Sequence, residues 1–273
     1  MMGDGPLSEL IAWASDGSYS HAGIVVDGET LVEASLGGVR RYPLARRLAE
    51  LDHFHVIDAW RPHDGAGQTF APADRALVRG HAEGMLGTPY PVDQLALLGV
   101  VMAVRGKWPA QPLLRRLVRI ALDHALPSTS PAMVCSEVVY RALAECGAEP
   151  RGRLAPAIVE GERGTAPFPA IDWQRLYDEF APLLFPRGAG ARLRAPGDAG
   201  VDASGDTDGG PTDQDLEQAR LRVLSGLGPQ DARRAAKGAD AGRGYLPNPR
   251  LVSPQDLANS PATRLLGRLL QRG

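Results

Sequence analysis

The residues that could do chemistry in this chain are few and far apart. Cys135 is the second residue of VCSEVVYRAL, a run with helical spacing that follows the chain breaker Pro131. A thiol at the start of a helix lies in the positive end of the helix dipole, which favours the thiolate, the form that attacks carbonyl carbon. His21, in SYSHAGIVV, stands directly after polar turn residues at the start of a strand-like run. An imidazole placed there can project from a sheet edge, take the thiol proton and return it to a leaving group. Glu33 follows 12 residues later, in ETLVEA. A carboxylate bonded to one ring nitrogen fixes the tautomer and steadies the imidazolium. The three types suit acyl transfer through a thioester, with no metal or organic cofactor needed. His21 and Cys135 are 114 residues apart, so only the fold can join them.

The positioning elements follow from the pattern. Residues 22–26 and 29–34 flank Asp27-Gly28, a strong hairpin signal. In the tightest register 26 opposes 29, 24 opposes 31 and 22 opposes 33. That sets Glu33 almost opposite His21 but on the other face, so a bulge or a longer turn is required to unite them. Residues 39–42, after Gly37-Gly38, and 53–60 read as further strands. Helical spacing marks 7–14, 72–86, 94–104, 113–126, 134–146 and 214–224, with one or two more helices over 254–271. The fold class is therefore α+β, a small antiparallel sheet or barrel packed on helices.

Composition bounds the function. The chain has 273 residues, enough for one or two domains with a real core, and its formal charge of −2 gives no basic field for nucleic acid. It has two cysteines, Cys135 and Cys146. On one helix they would stand roughly 16 Å apart, well beyond disulfide reach. Free thiols, with no signal-peptide pattern and no apolar run of membrane-spanning length, point to a cytoplasmic protein. After residue 187 the character changes: 196–213 carries five Asp, no Lys or Arg and almost nothing to bury. Three regions result: a catalytic domain over 1–186, an acidic Gly/Asp-rich disordered linker over 187–213 and a helical extension over 214–273.

In their order, SYSHAGIVV, ETLVEASLGGVRRYPL, GTPYPVD and VCSEVVYRAL resemble the permuted papain-like amidases of the YaeF/YiiX type, within the NlpC-type cysteine hydrolase superfamily. The resemblance covers roughly residues 7–146. It implies a circularly permuted papain-like domain in which the histidine precedes the nucleophile. It implies Cys135 as nucleophile, His21 as general base, Glu33 as orienting group and Tyr90 as a pocket or oxyanion-binding residue, acting on amides of peptide or lipid type. Lecithin:retinol acyltransferase-like relatives share the permuted order, so an acyltransferase or thioesterase uses the same residues. A non-catalytic binding module on the same scaffold is the third reading. Family members open with a Gly-Asp-Ile/Val strand; only MMGDGPLSEL stands ahead of the first helix here, and that strand is expected to be missing.

Other features have plainer readings. His53 and His55 share a strand face, but no further ligands complete a metal shell. The spacing of Asp202, Ser204, Asp206 and Asp213 echoes a calcium loop but has Thr207 where glycine is required. Glu137 is an acid in a first helical turn. The arginine-studded stretch 113–126 reads either as a helix packed on the domain or as a contact with a membrane surface. The C-terminal extension is the region left to recruit a protein partner.

Overall fold

The four strand-like runs between residues 22 and 60 do form strands in the computed structural model of the chain, but they divide between two antiparallel sheets. The structure describes residues 1–35, 37–90, 102, 106–110, 115, 118–119, 121–122, 133–159, 167–172, 174–176, 210–226 and 249–272. Mixed helix and strand with small antiparallel sheets is an α+β arrangement, as the patterns require.

The first sheet contains β2 (Ile24–Val25), β3 (Thr30–Ser35) and β4 (Gly38–Pro43), in that order. Its hairpin is one residue longer than the tightest register. Ile24 pairs with Val32 and Val25 with Leu31, and the Val26 N–H donates to the Thr30 carbonyl at 3.0 Å. Asp27 dictates this turn, because its Oδ1 accepts the N–H of Glu29 at 2.8 Å and of Thr30 at 2.6 Å. The shift reverses the side-chain parity, so His21 and Glu33 come to one face.

The second sheet contains β1 (Met2–Gly3), β5 (Phe54–Pro62) and β6 (Thr263–Gln271), in the order β1-β5-β6. Two sequence expectations are corrected here. The opening strand is present in short form, with Met2 against Val56 and Gly3 against Phe54. The expected helix over 254–271 stops at Asn259. A Ser253–Asp256 capping box starts it, and beyond Pro261 the chain is extended. The leucine pairs 265–266 and 269–270 fit either period. The open edge of β5 decides, pairing from Val56↔Gln271 to Pro62↔Thr263 through two register shifts. The C-terminal extension is thus helical only in part: α5 (Asp213–Gly226) and α6 (Pro254–Asn259), with a 3₁₀ turn at Pro249–Leu251, precede the strand.

Four more helices position the site. The first, α1, is Pro6–Ala14, with Pro at its first turn where no N–H is needed. A short helix, α2 (Leu44–Ala49), was not legible in the sequence. The third, α3, is Pro72–Gly84, followed by Gly87 at φ +81°. The nucleophile helix α4 is Cys135–Ala144, and the chain turns away at Gly147, φ +78°. Helices α3 and α4 lay Val78, Ala82, Val138 and Ala142 on Val32, Ala34 and Val39 of the first sheet, in one buried cluster that includes Cys135. Val138 has no exposed surface. Val138→Ala is expected to cost about 2 kcal/mol by cavity formation. It should lower the urea midpoint at an unchanged m-value; an unaltered midpoint would place α4 off this core.

The helices expected over 94–104 and 113–126 lie largely outside the described residues, as do the linker to residue 209 and the calcium-like spacing around Asp202. Among the described residues no helix is long and apolar enough to cross a membrane.

Candidate active site

Each partner of the site is delivered by a different element. Cys135 is the first residue of α4, set by the extended Val134, whose N–H meets Glu137 Oε2 at 3.5 Å. His21 ends the loop after α1, where its N–H and that of Ser20 donate to the Met1 carbonyl at 3.1 and 3.0 Å. Glu33 sits mid-strand in β3 with no exposed surface. Gly23 makes the hairpin's close approach possible, since a Cβ there would fall 2.7 Å from Leu31 Cδ1 and 3.3 Å from the Val32 carbonyl oxygen.

His21 Nε2 lies 3.1 Å from Glu33 Oε2. The Cys135 thiol is the imidazole's other neighbour, near enough that each shifts the other's proton affinity. With Nε2 given to the carboxylate, Nδ1 is the nitrogen left for sulfur. The ring leans on Phe54, centroids 5.8 Å apart. All three residues singled out for chemistry are therefore brought to one place, the imidazole bonded to the carboxylate and interacting with the thiol.

The electrostatics favour the charge-separated pair. Burial alone pushes the Cys135 thiol up, but the His21 charge and hydrogen bond, with the N–H groups of Ala22 and Ser136, hold it below its ordinary value. Burial likewise opposes charge on His21. The thiolate, and then Glu33, overcome it and raise the imidazole to about 9. Glu33 is opposed by burial too, yet His21, Arg47 and Arg40 hold its carboxyl at about 2. The imidazolium thus stabilises both the thiolate and the carboxylate, and each of them stabilises it in turn.

Tyr90 joins the same place by another route. The Val39 N–H donates to the Thr88 carbonyl at 2.8 Å, and the Met133 N–H to the Pro89 carbonyl at 3.0 Å. This pins the turn between β4 and the approach to Cys135. Gly38, at φ +97°, permits it, because a Cβ would meet the Thr88 oxygen at 2.8 Å. Tyr90 packs on the cluster that holds Cys135. Burial, and then the Cys135 charge, keep its phenol protonated far above the usual range, so its hydroxyl remains a donor.

Two residues that hold Glu33 escaped sequence reading. Arg40 donates to Glu33 Oε1 through Nη2 at 3.0 Å and Nε at 3.2 Å, and Arg47 donates to the same oxygen through Nη2. Arg40 is the cross-strand partner of Glu33, and extending the register back from the Gly37-Gly38 turn would have found it. Arg47 comes from α2, for which no signal stood out. Cys146 is unpaired with Cys135, its Sγ 3.5 Å from the Leu143 carbonyl within the core. His53 is exposed, and among the described residues no cluster of His, Cys, Asp and Glu could hold a metal ion.

Compared with known proteins, the chain matches no family model, no curated protein and no solved structure.

Proposed function

We propose that the chain is a thiol hydrolase that cleaves an amide or related acyl bond of peptide or lipid type. The observation that carries this reading is the His21 ring held between Glu33 and Cys135. The Cys135 thiolate attacks the carbonyl carbon, and the developing oxyanion draws on Tyr90 and on the N–H groups of the first turn of α4. The His21 imidazolium gives its proton to the leaving nitrogen, which departs and leaves a thioester on Cys135. His21, now neutral, takes a proton from water as the water attacks the thioester, and the acid is released with the thiolate restored. Glu33 stays ionised and keeps the imidazolium oriented. The order histidine, glutamate, cysteine along the chain supports the permuted papain-like reading of the fold.

An amine or alcohol in place of water would turn the same thioester into an acyltransferase intermediate, so the acceptor is open to test. Incubation with an activated acyl thioester or amide should add one acyl mass to Cys135 and none to a Cys135→Ala chain. Decay of that adduct in water alone assigns a hydrolase; persistence until an amine or alcohol is added assigns a transferase. No adduct with any donor moves a non-catalytic module to the front. Tyr90→Phe should slow acylation on the order of a hundredfold, the usual loss for one oxyanion donor. An unchanged acylation rate would reduce Tyr90 to a wall of the pocket.

A further inference from the structure

The segment that carries the base is held at four successive residues. The Ser18 N–H donates to Gln255 Oε1 at 2.8 Å, from α6. The Tyr19 hydroxyl donates to Asp58 Oδ2 at 2.6 Å, and its ring meets Trp60 edge-on at 6.3 Å. Ser20 Oγ accepts the Gly3 N–H at 3.0 Å. His21 then meets Glu33. Asp58 is the hub of this arrangement. Its side chain is 2% exposed, and Arg268 of β6 donates to Oδ1 through Nε at 2.8 Å and to Oδ2 through Nη2 at 3.1 Å. Arg268 keeps Asp58 an anion: the guanidinium lowers its carboxyl against the cost of burial. The Tyr19 phenol is raised to about 12, by burial and then by Asp58, and so remains a donor.

The C-terminal residues that reach the histidine segment also reach the nucleophile helix. Arg250 Nε lies 3.8 Å from Glu137 Oε1, two residues into α4 from Cys135. Val252 is buried in a cluster with Tyr140 and Ala144 of the same helix. One stretch of chain, residues 249–272, therefore touches both halves of a pair whose members are 114 residues apart.

We propose that Asp58 is a positioning residue for His21, and that residues 249–272 act as a clasp, using Arg268 on Asp58 and Arg250 with Val252 on α4 to set the imidazole against the thiol. The proposal rests on the Cys–His reading above. It makes the C-terminal segment a working part of the site. Tyr19 transmits the grip: it lies two residues from His21, and its hydroxyl is its link to Asp58. Misplacement of a reacting group by about 1 Å can cost on the order of a hundredfold in rate, so partial release should be visible.

The test uses the full chain with Cys146 replaced by Ala, and the variants Tyr19→Phe, Arg268→Ala, Arg268→Lys and His21→Ala. Two readouts are taken: hydrogen exchange of the amides over 18–22, and iodoacetamide alkylation of Cys135 against pH. Tyr19→Phe, which removes one hydroxyl, and Arg268→Ala should speed the exchange and slow alkylation near pH 6 by about tenfold, with Arg268→Lys recovering most of both. Exchange unchanged in both variants would show that no clasp holds the segment. Faster exchange with an unchanged alkylation profile, while His21→Ala still loses reactivity, would reduce Asp58 to a structural role and overturn the proposal. If His21→Ala itself alkylates like the wild type, the Cys–His reading fails instead, and the exchange data still report whether the clasp exists.

Discussion

Alkylation of Cys135 by iodoacetamide should persist far below the pH at which free thiols react, and His21→Ala should abolish that persistence. A free thiol has a pKa of about 8.5, so at pH 6 well under one per cent is thiolate. In the wild type the imidazolium and the Ala22 and Ser136 N–H groups hold Cys135 below its ordinary value. Removing the imidazole leaves burial, which acts in the opposite direction. The rate near pH 6 should therefore fall on the order of a hundredfold in His21→Ala, measured with Cys146 already replaced. Turnover of an amide substrate should decline as pH rises through about 9, where His21 gives up the proton that the leaving nitrogen needs. Wild type and variant titrating together near 8.5 would remove Cys135 from the mechanism.

Loss of the Glu33 charge should damage stability as well as activity. Glu33 has no exposed surface and holds Arg47, itself 6% exposed, along with Arg40 and His21. Glu33→Gln keeps the shape but takes from the buried Arg47 one of its two carboxylate partners, leaving Glu50, a loss of about 3 kcal/mol. The pH dependence distinguishes this from a simple packing defect. The Glu33 carboxyl is held at about 2 against an ordinary 4.5, so its contribution is full above pH 4.5 and is lost as pH falls through 2. His21 is raised from 6.5 to about 9, so its contribution is full below 6.5 and is lost as pH rises through 9. Wild-type stability should thus be greatest between pH 4.5 and 6.5 as far as these groups decide it. Glu33→Gln should lower the plateau and flatten the acid side in thermal melts across pH. An acid limb of undiminished steepness in the variant would mean that another carboxylate carries it.

Local patterns in the sequence were enough to place the elements around the site. Alternation gave β3 and β4, the breaker and helical spacing gave α4 with Cys135 at its start, residue chemistry singled out His21 and Glu33, and the motif resemblance added Tyr90. These properties live within ten or so residues, where side-chain period and capping act. The facing of His21 and Glu33 was legible only as a condition, an extra residue in the turn; Asp27 supplies it by bonding two N–H groups. What tertiary structure alone decided is longer in range. The approach of Cys135 to His21 depends on packing α4 against the first sheet. The second arginine on Glu33 comes from a helix too short and too lightly patterned to be read. The strand Thr263–Gln271 has a helix-like pattern in the sequence, because its leucines satisfy both periods and only the open edge of β5, some 200 residues earlier in the chain, supplies hydrogen-bond partners that favour one of them.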